Sequence, residues 1–231
     1  MTSTTTTITT PPLQTLQIAT FGGEDYEGIR VGIRSFPIHE LYLICFESDR
    51  NKANEFSKVI RNTLGIAITI NVVMKENIIL DTIQKITEIL DIYRKYFHQV
   101  LINVSCGEEL LNCAALCAAF VNGVMAFGID RTNQRPLVLP VLRLSYSKVL
   151  SEAKIKILKA IEGATADRRT IESLEQLEEL TGYSKAVLSY HIHGEKGLAN
   201  SGLVDVQKGK GGKVSAKLSV LGKLLLISRY I

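Results

Sequence analysis

Short apolar runs alternate with amphipathic segments through about residue 145 of the chain. The runs are nearly continuous and rich in β-branched residues, which is typical of strands buried on both faces of a parallel sheet. We predict six strands, at residues 16–21, 41–46, 66–73, 100–104, 124–129 and 137–144. Apolar residues at helical spacing predict helices between them, at about residues 26–36, 49–65, 77–93 and 108–123. The alternation predicts an α/β fold: a Rossmann-like, six-stranded, mostly parallel sheet with helices on both faces.

Two details of this pattern can be checked against a structure. The apolar face of the second helix is expected to include Phe56, Val59, Ile60 and Leu64. Pro140 has no N–H to donate to a neighbouring strand, so the sixth strand is expected at an edge of the sheet or with a bulge.

The alternation stops near Tyr146, and helical segments follow. We predict three helices, two strands and a last helix, at residues 151–163, 170–180, 185–193, 202–206, 214–218 and 219–229. Thr170 is expected to open the second of these helices and Ser184 to cap the third. This order, with a glycine turn before the third helix and a basic hairpin after it, is that of a winged helix-turn-helix.

We divide the chain into three parts. Residues 1–13 are rich in Thr and lack the basic and apolar regions of a secretory signal, so we expect a disordered tail. Residues 14–145 form the Rossmann-like domain, and residues 150–231 form the winged helix-turn-helix domain. The apolar stretch Leu110–Ile129 is interrupted by Asn and Gly residues, which predicts a buried helix and strand, with no membrane span.

Positive charge is concentrated near the C-terminal end. The 231 residues carry a formal net charge of +4. Residues 148–231 hold 14 basic and 9 acidic residues, whereas the rest of the chain holds 13 basic and 14 acidic residues. This distribution indicates an appended module that binds nucleic acid.

The four cysteines lack the spacing of a zinc site. Cys45, Cys113 and Cys117 lie in apolar segments, so we predict small buried residues of a reducing compartment, which favours a cytoplasmic protein. Cys106 lies in a turn with no basic residue beside it, and we expect no nucleophilic role for it.

Two turns follow strands at the edge where parallel α/β sheets bind ligands. We name Thr20–Asp25 the first turn and Asn103–Gly107 the second turn. Ser105 is expected to cap the helix after the second turn, and Glu108 has the spacing of a capping box. N–H groups at a helix N-terminus favour anions, although a capped turn without any ligand has the same pattern.

Other site classes are not supported by the sequence. No G-x-G-x-x-G follows the first strand, and no G-x-x-x-x-G-K-[ST] occurs, so neither a dinucleotide cofactor nor a P-loop is expected. His39 and His98 precede strands, at the opposite edge of the sheet from the two turns. We predict no catalytic constellation, no metal and no cofactor.

The third helix of the C-terminal domain has the exposed polar face of a recognition helix, and the basic hairpin has the lysines of a wing. Leu188, Ile192 and Val187 are expected to face inward. The predicted DNA contacts are Ser184, Lys185, Ser189, Tyr190, His193, Lys208, Lys210 and Lys213. A solvated hairpin or a protein-binding winged helix are the alternatives.

This combination of a Rossmann-like domain, a glycine-containing first turn, an Asn103-Val-Ser-Cys-Gly107 second turn and a winged helix resembles the CRISPR-associated Rossmann-fold (CARF) regulators of archaea. The resemblance covers the chain after its tail. It implies a homodimer formed by the Rossmann-like domain, cyclic oligoadenylate bound across the dimer axis, and promoter DNA bound by the winged helix. It places ligand contacts at Thr20, Phe21, Gly22, Gly23, Glu24, Asn103, Ser105, Cys106 and Gly107.

The chain departs from that family directly after the second turn. Members often have Lys or Arg there, whereas this chain has Glu108 and Glu109. Carboxylates repel phosphates unless they point away from them. The ligand therefore stays open between a cyclic oligoadenylate, a different or uncharged molecule, and none.

We expect a dimeric, ligand-responsive transcriptional regulator that binds a palindromic site in double-stranded DNA and is not an enzyme. Ligand binding would shift the spacing of the two recognition helices. One alternative is a ring nuclease, in which Ser105 and nearby backbone align a 2′-hydroxyl for attack. The other is a regulator whose Rossmann-like domain only dimerises.

Overall fold

The computed structural model describes residues 14–139, 150–166, 171–208 and 214–227. Its elements in chain order are β1 (Thr15–Thr20), α1 (Glu27–Ser35), β2 (Glu40–Phe46), α2 (Arg50–Leu64), β3 (Ala67–Val73), α3 (Ile78–Tyr93), β4 (Gln99–Asn103), α4 (Glu109–Asn122), β5 (Met125–Asp130), β6 (Arg135–Leu139), α5 (Glu152–Ala166), α6 (Leu174–Thr181), α7 (Lys185–His193), β7 (Val204–Lys208), β8 (Val214–Leu218) and α8 (Val220–Ile227).

The chain forms two compact units. Of the described residues, the first unit comprises 14–116 and 124–139, and the second comprises 117–123, 150–166, 171–208 and 214–227. The domain limits inferred from the sequence stay predictions, and the predicted tail lies outside the described residues.

Six strands form one sheet in the order β3-β2-β1-β4-β5-β6. The first five strands in that order are parallel, and β6 pairs antiparallel with β5. This confirms the predicted α/β, Rossmann-like fold with a mostly parallel sheet. β6 lies at the edge, as predicted for the sixth strand, and Pro140 itself lies outside the described residues.

Helices cover both faces of the sheet because neighbouring side chains of a strand point in opposite directions. Leu41 and Leu43 of β2 pack in one core with Phe56 of α2. Tyr42, which lies between them, contacts Tyr93 of α3 with the ring centroids 5.2 Å apart. A strand buried in this way has no solvent-facing side, which is why β2 is a continuous apolar run from Leu41 to Phe46.

Some helix limits differ from those predicted. A 3-10 turn at Glu47–Asp49 precedes α2, and α5 continues past Gly163 to Ala166. α6 begins at Leu174, where the Ser173 hydroxyl accepts a hydrogen bond from the Gln176 N–H. Thr170, the predicted start, lies outside the described residues.

The apolar face of α2 is narrower than its spacing indicated. Phe56 and Ile60 are buried, whereas Val59 is 56% exposed and Leu64 is also exposed. The stripe that meets the sheet is completed by Ala53 and Ser57, so Val59 and Leu64 lie outside it.

The second unit has its own apolar core. Ile157 and Leu158 of α5 pack with Leu177 of α6 and with Leu188 and Ile192 of α7. β7 and β8 form an antiparallel pair, to which Ile171 adds one bridge opposite Ala216. The order of helices and strands matches the predicted order, although β7 is shifted two residues along the chain.

Two glycines let α1 lie directly on the sheet. A Cβ placed on Gly28 would lie 2.6 Å from Ser105 Cβ, and one placed on Gly32 would lie 2.7 Å from Asn103 Nδ2. Both distances are shorter than van der Waals contact. The helix therefore packs on the end of β4 with no side chain between them.

We predict that Gly32→Ala destabilises the first unit. Its Cβ would also lie 3.0 Å from Gln17 Nε2 and 3.1 Å from Phe127 Cζ. Overpacking costs about 1–3 kcal/mol and outweighs the gain of about 1 kcal/mol in helix propensity. Urea unfolding followed by circular dichroism measures the change.

Gly163→Ala is the matched control. Gly163 lies within α5, and nothing lies within 4 Å of its added Cβ. We expect it to stabilise the protein by about 0.5–1 kcal/mol through helix propensity alone. Equal stability changes for the two variants would contradict close packing of α1.

Candidate functional site

The first turn and the second turn meet at the carboxyl edge of the sheet. β1 and β4 are neighbours, with Ala19 opposite Asn103. The Thr20 hydroxyl donates to the Asn103 carbonyl at 3.3 Å. A Cβ placed on Gly22 would lie 3.2 Å from Gly107 Cα. The structure therefore brings the predicted residues of both turns into one surface.

Two glycines give this surface its shape. Gly23 has φ +77° and Gly107 has φ +97°, values of the left-handed region that favours glycine. Gly107 lies against the backbone of Phe21, with 3.4 Å from an added Cβ to the Phe21 carbonyl carbon. A larger residue at either position would strain the turn.

A buried amide links the second turn to α1. Asn103 is fully buried, and its Nδ2 donates to the Gly28 carbonyl at 3.2 Å. Its Oδ1 accepts from the Ser105 N–H at 3.1 Å and from the Ser105 hydroxyl at 2.5 Å. The Asn103 side chain thus fixes Ser105 relative to the N-terminal turn of α1.

The predicted capping box at the second turn is wrong. The Ser105 hydroxyl bonds back to Asn103 instead of forward to the helix. α4 begins at Glu109, and the Asn112 N–H donates to the Glu108 carbonyl at 3.0 Å. The hydroxyl that was predicted to cap the helix is therefore bonded to Asn103 Oδ1, and the helix begins at Glu109, one residue later than predicted.

The first turn is held by an aromatic cluster. Phe21 is fully buried and stacks on Tyr26 with ring centroids 4.5 Å apart and planes 12° apart. Phe56 of α2 contacts both rings at 5.6 Å. The Tyr26 hydroxyl donates to the Gly23 carbonyl at 2.9 Å. These contacts fix the backbone of Gly23.

The nine predicted ligand contacts divide by exposure. Gly23 and Glu24 are exposed, and Ser105 and Gly107 are half-buried. The remaining five are buried and shape the turns from within: Thr20, Phe21, Gly22, Asn103 and Cys106. A ligand at this edge would therefore contact the four exposed or half-buried residues directly. It could contact the five buried residues only through their backbone.

Burial also sets the chemistry of Cys106. Loss of solvent raises the pKa of its thiol to about 11, with the Asp25 carboxylate adding to the rise. The thiol is protonated at neutral pH and is a poor nucleophile.

Sequence reasoning missed the cations at this edge. Lys75, which follows β3, forms an ion pair with Glu108, with Nζ 2.6 Å from Oε1. Its Nζ also lies 4.6 Å from the centre of the Phe46 ring. Lys52 Nζ lies 3.5 Å from the Gly23 carbonyl oxygen. The sequence could have indicated Lys75, because Lys75 directly follows β3 and the carboxyl ends of all the parallel strands lie at the edge that carries the two turns.

A cavity of about 120 Å³ lies beside Ser105. Its walls come from the N-terminal end of α1 and from the turn between β5 and β6. They include Asp25, Glu27, Gly28, Ser105, Arg131 and Gln134. Arg131 and Gln134 were not among the predicted site residues, because the sequence reasoning considered only the turns after β1 and β4.

In the second unit, α7 presents most of the residues predicted to contact DNA. Ser184, Lys185 and His193 are exposed, Ser189 is half-buried, and Tyr190 is 72% exposed. Leu188 and Ile192 face inward as predicted.

Four further residues of this unit were singled out from the sequence. Val187, predicted to face inward, is exposed because it lies beside the stripe of Leu188 and Ile192. Lys208 ends β7. Lys210 and Lys213 lie outside the described residues.

Lys185 is already paired within the unit. Its Nζ lies 2.5 Å from Oε1 of Glu175 on α6. The hydrogen bond from Lys185 lowers the pKa of Glu175 to about 2, and the same bond raises the pKa of Lys185. Both groups are fully charged at neutral pH.

Within the described ranges, no group of three or more His, Cys, Asp or Glu side chains is placed to hold a metal ion. No helix in the part of the chain that the structure describes is long and apolar enough to cross a membrane.

Similar folds occur among solved structures. Protein VC1899 from Vibrio cholerae is 10% identical with a TM-score of 0.49, and the match covers 94% of this chain. Can2 from Sulfobacillus thermosulfidooxidans, in complex with cyclic tetra-adenylate, is 14% identical with a TM-score of 0.46, over 92% of this chain. Enterococcus italicus Csm6, bound to cyclic hexa-2′-fluoro-hexa-dAMP, is 14% identical with a TM-score of 0.46, over 78% of this chain.

The chain spans less than two thirds of each of these proteins: 65% of VC1899, 63% of Can2 and 56% of Csm6. At these identities and TM-scores, the similarity carries no functional conclusion.

A curated protein of similar sequence was not found. A family model described as "HFX_2341_N:-like, N-terminal" matches residues 15–130, half of the chain and nearly all of its sheet. The chain therefore belongs to the HFX_2341_N-like, N-terminal family.

Proposed function

We propose that the chain is a ligand-responsive, DNA-binding transcriptional regulator of the CRISPR-associated Rossmann-fold type. In this proposal, the first unit senses a cyclic oligoadenylate or a similar nucleotide. The second unit binds double-stranded DNA as a winged helix-turn-helix, and the protein acts as a homodimer in the cytoplasm. The observation that carries the proposal is the meeting of the first turn and the second turn at the carboxyl edge of a parallel sheet.

The geometry of the turns supports a phosphate-bearing ligand. Gly23 is exposed and Gly107 is half-buried, so backbone can approach a ligand without a side chain between them. Glu108, the apparent obstacle to phosphate, is neutralised by Lys75. The repulsion expected from the sequence is therefore weaker than two free carboxylates would give.

The same geometry favours binding without cleavage. The Ser105 hydroxyl donates a hydrogen bond to the amide oxygen of Asn103. An amide oxygen does not take up a proton at neutral pH, so it is not a general base. Cys106 is protonated and buried. We therefore propose a sensor, with the ring nuclease as the alternative that product analysis tests.

The second unit supports DNA binding through its order and its exposed residues. Gly182 has φ +71° and makes the tight turn between α6 and α7. α7 carries exposed Lys185, Tyr190 and His193, which can reach phosphates or base edges in a major groove. The β7–β8 pair would present the wing lysines to the neighbouring phosphates.

One face of α4 supports the homodimer. Leu110 is 62% exposed and Phe120 is 36% exposed. Cys113 and Cys117, which were predicted from the sequence to be buried, are exposed between them. The spacing of these four residues places them on one side of the helix. An apolar stripe beside the second turn fits a second copy of the same chain, which would bring two second turns together.

We predict that cyclic tetra-adenylate or cyclic hexa-adenylate raises the melting temperature of the full-length protein. A ligand at about 100 times its dissociation constant adds about 2.7 kcal/mol to stability. Linear oligoadenylates serve as ligand controls, and chromatography of the incubated ring detects cleavage. Formation of a linear product would show that the protein is a ring nuclease and not a sensor. An unchanged melting temperature with both rings would overturn the ligand proposal.

Gly23→Ala should weaken binding of that ring at least fivefold, whereas Gly65→Ala should not. Both glycines have a left-handed φ, +77° and +69°, and neither has an atom within 4 Å of an added Cβ. Each substitution costs a similar backbone strain, of about 1–2 kcal/mol. Gly65 ends α2, away from the two turns, so calorimetric titration of both variants separates strain from a role at the site. Equal affinities would place the ligand elsewhere.

Replacing the wing lysines together by Ala should weaken binding to all DNA sequences and flatten its salt dependence. Each lost phosphate contact lowers the slope of log affinity against log salt by about 0.9. We expect a slope shallower by about 2.7 for the triple variant of Lys208, Lys210 and Lys213.

Fluorescence anisotropy at several salt concentrations measures this slope. A triple variant with the same loss of charge in the first unit is the control: Lys58, Lys85 and Lys95. An unchanged slope for the wing variant, or an equal change for the control, would argue against the wing.

Leu110→Glu should convert the protein from dimer to monomer, because a carboxylate on an apolar interface loses its hydration. Ile92→Glu is the control, since Ile92 of α3 is 56% exposed and lies on another helix. Light scattering after gel filtration should give twice the 25.5 kDa chain mass for wild type and Ile92→Glu. A wild-type mass of one chain would rule out the dimer, and a dimeric Leu110→Glu variant would place the interface elsewhere.

A further inference from the structure

We propose that Arg131, in the turn between β5 and β6, binds a phosphate of the ligand beside Ser105. This inference rests on the proposed function and adds a third wall to the site, from a turn outside the first turn and the second turn. It also supplies a positive charge near a second turn that is followed by two glutamates.

The sheet places this turn next to Ser105. β4 and β5 are parallel neighbours with Asn103 opposite Phe127. The Val104 N–H donates to the Phe127 carbonyl at 3.0 Å, which continues the pairing past the end of β4. The chain beyond β5 therefore rises beside the second turn, and Arg131 and Ser105 line one cavity.

The turn is held by its own hydrogen bonds. Asp130 Oδ1 accepts from the Thr132 N–H at 2.9 Å, and Asp130 Oδ2 accepts from Asn133 Nδ2 at 2.8 Å. These donors, that of Asn133 foremost, keep the pKa of Asp130 below its usual range. Gln134 has φ +49°, in the left-handed region that most residues avoid. The backbone of Arg131 is therefore fixed at the mouth of the cavity.

The charges around the cavity leave Arg131 available. Glu27 is paired with Arg34 and, at 3.6 Å, with Arg30. Glu108, on the second turn side, is paired with Lys75. Among the described residues, Arg131 forms no ion pair. Its guanidinium can therefore offer two parallel N–H groups to one phosphate.

The carboxylate of Asp25, which also lines the cavity, can bind another part of a nucleotide. Asp25 Oδ1 accepts from the Glu27 N–H at 2.9 Å. Within the described residues its other oxygen has no hydrogen-bond donor, so it can accept from a sugar hydroxyl. A nucleotide presents a ribose hydroxyl beside each phosphate. Pockets for whole drug-sized ligands measure about 300–1,000 Å³, so this cavity of about 120 Å³ would take one such group of a larger ring.

The test compares Arg131→Ala with Arg135→Ala. Arg135 lies in the same hairpin, is exposed and does not line the cavity, so its loss changes the net charge equally. Calorimetric titration with cyclic tetra-adenylate and cyclic hexa-adenylate should show at least tenfold weaker binding for Arg131→Ala only. Circular dichroism melting without ligand checks that both variants fold as the wild type does.

Inorganic pyrophosphate provides a second probe that does not depend on the ring. It should raise the melting temperature of the wild type and of Arg135→Ala, and should not do so for Arg131→Ala.

The outcomes separate this inference from the proposed function. If a ring binds the wild type and both variants equally, Arg131 has no such role, while the sensor proposal stands. If no ring binds but pyrophosphate stabilises all except Arg131→Ala, the anion site stands and the ring is the wrong ligand. If neither probe binds the wild type, both proposals fall.

Discussion

The contact between α1 and the end of β4 is the constraint on which the candidate site depends. Gly28 and Gly32 lie one helical turn apart on the same side of α1, and both face β4. Without side chains there, the helix backbone comes close enough for the Gly28 carbonyl to accept from Asn103. The same amide holds Ser105, so one buried side chain sets the distance between the helix after the first turn and the backbone of the second turn.

The fold could be predicted from the sequence because its strands are buried on both faces. Such strands are continuous apolar runs, and the segments between them have the period of helices, so both signals are local. The position of the two turns followed from the same logic, since all parallel strands end at one edge. The antiparallel β6 was recognisable only as an edge strand, through Pro140.

The details of the site depend on contacts that no local pattern records. The spacing of Ser105 and Glu108 is the same whether the hydroxyl bonds forward to the helix or back to Asn103, and Asn103 is held by a residue 75 positions away. The pairing of Lys75 with Glu108 joins the ends of strands that are not neighbours in the sheet. The helical period of α2 predicts which side of the helix is apolar, whereas the sheet beneath the helix sets how wide the buried stripe is. Val59 and Leu64 were therefore predicted to be on the apolar face but are exposed.

The ion pair between Glu175 and Lys185 has a consequence for how contacts on α7 would be counted. Glu175 acts as an internal counterion, which accompanies Lys185 before any nucleic acid arrives. A phosphate that replaced the carboxylate would release a cation from the DNA but would leave Glu175 able to attract one, so the net release of ions would be small. The salt dependence of binding would then indicate fewer phosphate contacts on this helix than the helix makes. Lys185 would contribute more to the orientation of the helix on DNA than to the strength of binding.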